Sequence, residues 1–459
     1  MDGKVDAQPL VKTNVNIPGK GTHDVLYVVT EHDSIYAFDA ASGSILWQVS
    51  MVGAGEVPSD DRGCGQVMPE IGITSTPVID LNTGLHGTIY VVAMSKNASS
   101  QYFQRIHALD ITTGAEEFGG PLLITASFPG ASPFDPAQYK ERASLLLVNG
   151  GVITTWASHC DIQPYTGWII AYGVRQNTLV KTATLNITPN GSEGAIWQAG
   201  AGPAADSLGN VYFLDGNGTF DTTLNAGGFP IDGDFGNAFL KLSTSSGLLV
   251  ADYFEPFNTV GESNVDTDLG SGGAMLLPDM IDALGATRRL AVGAGKDHNI
   301  YLVDRDAMGK FNPSANTNLY QELVGVLPSG EFAMPAYFNN TLYYGGVSEP
   351  IQAFAFSQAR LATSPSSTTS ATFNYPGTTP GISANGVSNA IVWAVQAAGS
   401  NGVLHAYDAT NLGSELYNSN QAAASRDHFA DNKFITPTIA NGKVYVGTPN
   451  SVAVFGLLP

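Results

Sequence analysis

The stretch Tyr27-Val-Val-Thr-Glu-His-Asp-Ser-Ile-Tyr-Ala-Phe-Asp-Ala-Ala-Ser-Gly-Ser-Ile-Leu-Trp47 predicts two strands and a tight turn. Side chains of residues 34–38 alternate between two faces, as expected for a strand buried between sheets. Asp39 can accept hydrogen bonds within the turn, Gly43 can adopt a positive φ, and Trp47 is left to pack against a neighbour. One such unit cannot bury both of its faces, so it needs copies beside it.

Copies of this unit recur along the chain at unequal spacing. Close copies of the turn occupy residues 106–114, 239–247, 300–309 and 404–413, and weaker ones lie at 168–172, 351–356 and 451–455. With the first unit these make eight, and the apolar strand that opens each unit, often with a proline, also occurs eight times. Repeats of this length with four short strands predict propeller blades. We therefore predict an all-β, eight-bladed β-propeller of four-stranded antiparallel blades, with residues 1–459 as a single domain.

Closure of the ring and the position of the long loops can also be read from the pattern. The last unit ends at residues 455–459 with only three strands, and residues 1–6 are short for a strand that would complete it. Residues 58–68, 128–142, 226–235 and 358–380 are predicted loops, the third being a Gly- and Asp-rich excursion inside the fourth blade. Such loops on a rigid ring are where a propeller usually builds its site.

Composition limits the possible partners. The 459 residues carry a net charge of -20, with 20 Lys and Arg against 40 Asp and Glu. This balance argues against binding to nucleic acid or to an anionic membrane, because phosphate contacts need clustered basic residues. No apolar run approaches membrane-spanning length, and the first five residues lack the apolar core of a signal peptide. We predict a monomer with no nucleic-acid partner and no membrane span.

The turn pattern Ala-x-Asp-x-x-Thr/Ser-Gly-x-x-x-Trp at residues 37–47 resembles the tryptophan-docking motif of quinoprotein-like eight-bladed propellers. That superfamily includes alcohol dehydrogenases that depend on pyrroloquinoline quinone (PQQ), and outer-membrane assembly lipoproteins that carry no cofactor. The likeness covers nearly the whole chain and implies the fold more than the function, since many functions share one scaffold. Members are usually exported, so we expect a periplasmic or secreted protein whose signal peptide is absent from this sequence.

Export bears on the two cysteines, Cys64 and Cys160. An exported chain could join them as a disulfide, whereas a cytosolic chain would keep both reduced. We favour the disulfide, with free buried thiols as the alternative.

The third and fourth blades contain segments that resemble the metal and cofactor shell of the PQQ alcohol dehydrogenases. Ser158-His-Cys-Asp161 precedes the strand at residues 167–172, where the family has Ser-Gly-Ala-Glu. The resemblance implies that Ser158 contacts PQQ and that Asp161 binds the metal. Asn217 ends the next matching strand, where the family's amide oxygen is a metal ligand.

The fifth blade contains the predicted catalytic residue. Asp268 stands ahead of the strand at residues 273–277, and Lys296 follows 28 residues later. By resemblance, Asp268 is the catalytic base and a metal ligand, and Lys296 contacts PQQ. Oxygen donors suit calcium or a similar divalent cation, which would keep Asp268 ionised, and Lys296 could balance an anionic quinone. The alternative is that these Asp and Asn residues are ordinary turn formers.

The sequence departs from the family around the quinone. Cys64 is followed by Gly65 and not by a second cysteine, and Glu70 lies near the place of an Arg that grips a PQQ carboxylate. A carboxylate there would repel an anionic cofactor. The strand before Asn217 lacks the aromatic floor of the family, although Trp197 lies slightly earlier and is the candidate cofactor contact. No Cys-x-x-Cys-His motif for haem attachment occurs.

Three functions fit these residues. The first is a PQQ- and divalent-cation-dependent alcohol or sugar oxidoreductase with a degenerate cofactor pocket. The second is a propeller that binds or cleaves polysaccharide at an acidic centre made of Glu70, Asp161, Glu193 and Asp268. The third is a non-catalytic scaffold or binding module. In the first two cases a small-molecule or carbohydrate ligand would bind in the central funnel.

Overall fold

The structure is a computed structural model, and it describes residues 1–457. Eight antiparallel sheets follow one another along the chain and form an eight-bladed β-propeller, as predicted. Within most blades the strands pair in chain order, so each blade is a meander. None of the helices among residues 1–457 is long and apolar enough to cross a membrane.

The first four blades contain strands β1 to β18. Blade one has β1 (Leu10–Ile17), β2 (Gly21–Val29), β3 (Ser34–Asp39) and β4 (Ile45–Ser50). Blade two has β5 (Glu56–Pro58), β6 (Val78–Asp80), β7 (Thr88–Asn97), β8 (Tyr102–Asp110) and β9 (Leu122–Leu123). Blade three has β10 (Lys140–Glu141), β11 (Leu146–Val148), β12 (Gly151–Ala157), β13 (Trp168–Arg175) and β14 (Thr178–Asn186). Blade four has β15 (Ala204–Ala205), β16 (Val211–Leu214), β17 (Phe239–Ser243) and β18 (Leu249–Glu255).

Helix α1 (Thr259–Asn264) and a 3-10 turn (Leu269–Ser271) lead into the second half of the ring. The region of blade five has β19 (Met275–Leu276), β20 (Met280–Ile281), β21 (Thr287–Arg288), β22 (Leu290–Ala294), β23 (Ile300–Asp304), β24 (Lys310–Phe311) and β25 (Gln321–Leu323). Of these, β20 and β21 form a separate hairpin, and β24 pairs in parallel with β18 of blade four.

The last three blades complete the ring. Blade six has β26 (Ala336–Phe338), β27 (Thr341–Tyr344), β28 (Gln352–Ser357), β29 (Arg360–Leu361) and β30 (Ser367–Thr368). Blade seven has β31 (Gly381–Asn385), β32 (Ser388–Ala397), β33 (Asn401–Asp408), β34 (Glu415–Asn418) and β35 (Phe429–Ala430), with 3-10 turns at Ser419–Gln421 and Ala423–Ser425. Blade eight has β36 (Thr438–Ala440), β37 (Lys443–Gly447) and β38 (Val452–Gly456).

The turn between β3 and β4 forms as its sequence predicts. The Asp39 carboxylate accepts hydrogen bonds from the backbone N–H groups of Ala41 and Ser42, at 2.9 and 2.6 Å. Gly43 has a φ of 72°, in the left-handed region that a Cβ atom would disfavour. The local chemistry of five residues therefore decides where the chain reverses.

Trp47 on β4 joins blade one to blade two. Its indole N–H donates to the carbonyl oxygen of Ile111 at 3.1 Å, and the Tyr27 hydroxyl donates to the same oxygen at 2.9 Å. A Cβ atom on Gly114 would lie 2.8 Å from the indole ring, so only glycine allows this approach. The predicted tryptophan docking is thus a contact between the turns of neighbouring blades.

The hydrophobic core lies mainly between adjacent blades. Val25 and Ile35 of blade one pack in one cluster with Ile89 and Leu109 of blade two. Full burial of such side chains contributes about 1.5–3 kcal/mol each relative to exposure. Each blade therefore depends on its neighbours for stability.

Blades one and eight meet through the residues that precede β1. The Val5 N–H donates to the Thr448 carbonyl oxygen at 3.0 Å, and the Glu31 N–H donates to the Lys4 carbonyl oxygen at 2.9 Å. Val5 is fully buried and packs with Tyr445. Among residues 1–457 blade eight has three strands, as the last repeat indicated. The N-terminal residues close the ring by these contacts, without a further strand.

Candidate functional site

A cavity of about 350 Å³ lies where the blades meet. Its lining includes Lys4, Cys64, Arg142, Asn217, Phe332 and Phe434, which are spread over nearly the whole chain. Since segments so distant in sequence converge on it, the cavity lies at the axis of the ring. Its volume is in the range of sites for small ligands and cofactors. Three of the four predicted loops contribute lining residues, through Cys64, Arg142 and Tyr375, whereas the loop at residues 226–235 contributes none.

The ring brings eight of the nine predicted site residues to this cavity. These are Cys64, Ser158, Cys160, Asp161, Trp197, Asn217, Asp268 and Lys296. Glu70 is the exception.

Asp268 and Lys296 form an ion pair in the cavity wall. Asp268 is 1 % exposed and directly precedes the 3-10 turn at Leu269–Ser271. Its carbonyl oxygen accepts a hydrogen bond from the Lys296 N–H at 2.9 Å, which fixes the two residues relative to each other. The Lys296 ammonium lies 2.7 Å from the Asp268 carboxylate and also pairs with Asp266.

Burial and charge act in opposite directions on this pair. Burial raises the pKa of Asp268, and the Lys296 ammonium opposes that rise, with a net increase. Burial lowers the pKa of Lys296, but the carboxylates of Asp268 and Asp266 together outweigh that effect, and the net shift is upward. A carboxylate with a raised pKa is a stronger proton acceptor than an exposed one. Asp268 therefore has the chemistry of a general base that a neighbouring cation holds ionised.

Asn217 and Trp197 lie beside this pair. The Asn217 amide nitrogen donates to Asp266 at 2.7 Å, whereas its amide oxygen is buried and has no hydrogen-bond partner among the described residues. A Cβ atom on Gly216 would lie 2.9 Å from the Trp197 ring and 3.2 Å from the Asp268 carboxylate. The absence of a side chain at Gly216 therefore allows Trp197 to approach Asp268.

Ser158 and Asp161 belong to a loop with its own hydrogen bonds. The Ser158 hydroxyl donates to the Ile162 carbonyl oxygen at 2.9 Å, and the Tyr165 hydroxyl donates to the Asp161 carboxylate at 2.6 Å. Both polar groups line the cavity, but each already has a partner within the loop. As the loop stands, Asp161 is a weaker candidate for a ligand contact than Asn217.

Cys64 and Cys160 form a disulfide, which confirms the favoured alternative. Their Cα atoms are 5.4 Å apart across a sequence separation of 96 residues. The bond joins the loop after β5 to the loop after β12, and both sulfur-bearing residues line the cavity. The disulfide thus forms part of the cavity wall.

The predicted metal ligands do not form a metal site as they are arranged. Over residues 1–457 no group of three or more His, Cys, Asp or Glu side chains is placed to hold a metal ion. The Lys296 ammonium lies between the carboxylates of Asp266 and Asp268 and neutralises them. A divalent cation on Asp268 would have to compete with this lysine, so the donor set does not fit a resident metal.

Glu70 lies away from the cavity lining. Its carboxylate is 2.9 Å from the His32 imidazole, and the pair is partly exposed. The predicted contact of Glu70 with the cofactor is therefore not supported. Glu193 is also absent from the lining, and its carboxylate pairs with Gln163. Burial raises the pKa of Glu193, and the nearby charges of Asp161 and Asp268 raise it further, so Glu70 is the one carboxylate of the four that lies apart from the others.

Sequence reasoning missed the basic residues of the lining. These are Lys4, Lys140, Arg142 and Lys433. Lys140 and Arg142 lie at the end of a predicted loop, where the sequence Lys-Glu-Arg could have indicated a basic site. Lys4 and Lys433 are 429 residues apart and meet only when the ring closes, so no local pattern connects them. The cavity therefore carries more positive charge than the net charge of the chain suggested.

Sequence reasoning also missed three aromatic rings, those of Phe332, Tyr375 and Phe434. Tyr375 makes edge contacts with Phe332 and Phe434, with ring centroids 5.5 and 5.7 Å apart. The rings come from three separate inter-blade segments, and no local pattern marks them as partners. Together with Trp197 they give the cavity flat apolar surfaces that suit a planar ligand.

This sheet order and axial cavity are those of an eight-bladed β-propeller. No protein-family model and no curated protein sequence matches the chain. Solved structures do match it, among them quinohemoprotein alcohol dehydrogenase ADHIIG from Pseudomonas putida HK5, with a TM-score of 0.61 and 14% identity over 97% of this chain and 70% of that one.

Two further structures illustrate the range of proteins with this fold. Quinohemoprotein alcohol dehydrogenase from Comamonas testosteroni matches with a TM-score of 0.61 and 15% identity, covering 97% of this chain and 70% of that one. Saccharomyces cerevisiae Sqt1 matches with a TM-score of 0.54 and 10% identity, covering 100% of this chain and 96% of that one. At these identities the likeness establishes the fold, and the activity must be argued from the site.

Proposed function

We propose that this chain is an exported oxidoreductase that binds PQQ in the axial cavity and oxidises an alcohol or a sugar. The observation that carries the proposal is the buried Asp268–Lys296 pair, which lies in the wall of a cavity with flat aromatic and disulfide surfaces. The fold shared with quinohemoprotein alcohol dehydrogenases supports the same assignment by analogy. We further propose that residues 1–459 act as one domain and as a monomer.

The cavity residues suit a planar anion. Trp197 and the Cys64–Cys160 disulfide offer apolar surfaces for a ring system, and Lys296 offers a cation beside it. PQQ is planar and carries carboxylate groups, so it needs both kinds of contact. The disulfide takes the place of the paired cysteines that the sequence lacks.

When bound, PQQ supplies a two-electron acceptor. Asp268 accepts the proton of the substrate hydroxyl group, and its raised pKa makes it a better acceptor than an ordinary aspartate. Lys296 keeps that carboxylate ionised before the substrate arrives and stabilises negative charge that develops on the substrate oxygen. Since the side chains as arranged do not fit a divalent cation, no step is assigned to one.

Export is part of the proposal because of the disulfide. Structural disulfides persist mainly in oxidising compartments such as the periplasm or the extracellular space. The Cys64–Cys160 bond supports such a location.

The competing functions receive less support. A polysaccharide-cleaving centre needs its acidic groups together, and Glu70 and Glu193 lie outside the lining that Asp161 and Asp268 share. A non-catalytic scaffold would explain the fold but would not need the buried Asp268–Lys296 pair. Asp268 in such a protein would contribute to stability alone.

The proposal is tested by incubating the protein with PQQ and assaying dye-linked oxidation of primary alcohols, secondary alcohols and aldoses. We expect reduction of the dye that depends on both PQQ and substrate. Asp268→Asn, loaded in the same way, is the control that lacks the proposed base. Dye reduction at equal rates in both proteins would contradict the role of Asp268, and none with any substrate would contradict the proposed activity.

A further inference from the structure

Five of the chain's 20 basic residues line the axial cavity, although acidic residues outnumber basic ones by 40 to 20. Lys296 is paired with Asp266 and Asp268. The other four, Lys4, Lys140, Arg142 and Lys433, form what we call the basic cluster. They come from the N-terminal segment, from blade three and from the approach to blade eight, so only the closed ring assembles them.

Lys140 is buried near two carboxyl groups, Glu31 and Asp6, whose charges act on it from beyond ion-pair distance. It is 7 % exposed, and its side chain has no hydrogen bond or close ion pair among the described residues. The backbone of Lys140 belongs to strand β10 and pairs with Ala157 of β12, which fixes the position of the residue. A buried ammonium group without an ion-pair partner is costly, and burial lowers the pKa of Lys140 although the charges of Glu31 and Asp6 oppose that shift. An anion beside Lys140 would remove that cost.

Arg142 lies two residues further along the chain and is also free to bind. Its guanidinium lies 5.0 Å above the Phe434 ring, and among residues 1–457 it makes no side-chain hydrogen bond. Arginine presents five N–H donors in a planar fork, which matches carboxylate and phosphate groups. The ring positions this fork in the cavity and leaves its donors unused.

The acidic groups nearby do not neutralise the basic cluster. Asp6 pairs with Lys4 at 3.1 Å. Burial raises the pKa of Glu31, and the neighbouring Asp6 raises it further, which favours the neutral acid. Lys433 donates to the uncharged Gln66 side chain at 2.6 Å. The cluster therefore keeps a net positive charge inside an acidic protein.

We propose that the basic cluster is a subsite for acidic groups of the ligand, with Lys140 and Arg142 each binding a carboxylate or phosphate group. The ligand class is a small anion with at least two such groups, because two separate donors are unpaired. The proposal rests on the proposed function in that both place the ligand in this cavity.

The test is isothermal titration of the full chain with benzene-1,3,5-tricarboxylate, a planar trianion that cannot act as a quinone, and with the neutral benzene-1,3,5-trimethanol. We expect saturable binding of the trianion and none of the neutral compound. Lys140→Met and Arg142→Gln should each weaken trianion binding roughly tenfold or more, as for loss of a charge-assisted hydrogen bond. Lys181→Met, which changes an exposed lysine outside the cavity, is the matched control and should bind as the unmodified chain does.

The outcomes separate this subsite from the proposed activity. Equal trianion affinity in Lys140→Met, Arg142→Gln and the unmodified chain would overturn the subsite, as would failure of the trianion to bind. Arg142→Lys should recover part of the affinity, which a merely structural defect would not allow. Trianion binding together with failure to bind PQQ would support the subsite and overturn the proposed function.

Discussion

At the scale of single residues, the proposed oxidation depends on one carboxylate and one ammonium group. Asp268 is buried, and Lys296 lies 2.7 Å from it. Burial alone would favour the protonated acid, which could not accept a proton from a substrate. The lysine makes the ionised form accessible, and the backbone hydrogen bond between the two residues keeps the geometry fixed.

Replacement of Asp268 should separate catalysis from binding. Asp268→Asn removes the proton acceptor, and we expect kcat for alcohol oxidation to fall by about 10²- to 10⁴-fold. The affinity for PQQ should change little, and the free energy of unfolding should fall by about 1–3 kcal/mol, because Lys296 keeps Asp266 as a partner. Steady-state kinetics, calorimetry and urea denaturation measure the three quantities. An unchanged kcat would show that Asp268 is a structural residue.

Replacement of Lys296 should move the pH dependence. Lys296→Met removes the cation that opposes the rise in the pKa of Asp268. The pKa of Asp268 should then rise further, and the acidic limb of the profile of kcat/KM against pH should move to higher pH. Lys296→Arg, which retains the charge, is the control and should leave that limb closer to its original position. An acidic limb at the same pH in all three proteins would exclude Asp268 as the titrating base.

These residues differ in how far the sequence could reveal them. Asp268, Asn217 and Lys296 were predicted because their order along the chain matches a known pattern, and the ring places them together. Glu70 was assigned from its distance to Cys64 alone, and the loop instead directs its carboxylate towards His32. Spacing within a loop does not determine where each side chain points.

At the scale of elements, the site is built from loops that a disulfide holds together. Cys64 and Cys160 connect two loops that no strand pairing joins directly. Both loops contribute to the cavity lining. The disulfide thus limits the movement of the two cavity loops in the folded protein and also the conformational freedom of the unfolded chain.

Removal of the disulfide should lower both stability and affinity. The Cys64→Ser/Cys160→Ser variant loses a cross-link that closes a loop of about 96 residues, and we expect the free energy of unfolding to fall by about 2–5 kcal/mol. The affinity for PQQ should also fall, because one wall of the cavity is released. Chemical denaturation and calorimetry, each with and without dithiothreitol, measure both effects. Dithiothreitol should not change the stability or the PQQ affinity of the double variant. If it changed neither quantity in the unmodified chain, the proposed role of the disulfide would be contradicted.

Element-scale features were predictable where they are local. The turn at Asp39 to Gly43 and the docking of Trp47 follow from a few adjacent residues, and both form as predicted. The meeting of Phe332, Tyr375 and Phe434 depends on how three separate blades pack. No periodicity or motif in the sequence indicates that these three rings lie close together, so their contact could not be predicted from the sequence alone.

At the scale of the whole molecule, the propeller buries carboxyl groups that form no ion pair among residues 1–457. Burial raises the pKa of Glu141 and that of Glu331 to about 8. In each, one oxygen accepts a backbone hydrogen bond and the other has no partner among the described residues. Both groups are therefore held as neutral acids in the folded protein at neutral pH.

The stability of the fold should consequently depend on pH in a defined direction. The unfolded chain loses these two protons near pH 4.5, whereas the folded chain keeps them up to about pH 8. The stabilising contribution is therefore complete below pH 4.5 and is lost as pH rises towards 8. As pH rises through that window, the ionisation of each group should lower the free energy of unfolding by up to about 1.4 kcal/mol per pH unit.

This dependence is measured by urea denaturation at pH 5 and pH 7. Burial lowers the pKa of His159 to about 3, which opposes the trend, but the two carboxyl groups together outweigh this one imidazole. We expect the unmodified chain to be more stable at pH 5. Glu331→Gln, which stays neutral at every pH, should reduce the difference between the two conditions. Equal stability at pH 5 and pH 7 would mean that these carboxyl groups are ionised in the folded protein.

The measurement that tests the central claim most directly is calorimetric titration of the chelator-treated protein with PQQ, in the presence and absence of calcium. The account predicts saturable binding of one PQQ per chain in both conditions, because Lys296 already neutralises the carboxylates where a cation would bind. Absence of saturable binding in both conditions would contradict the claim that the axial cavity is a quinone site.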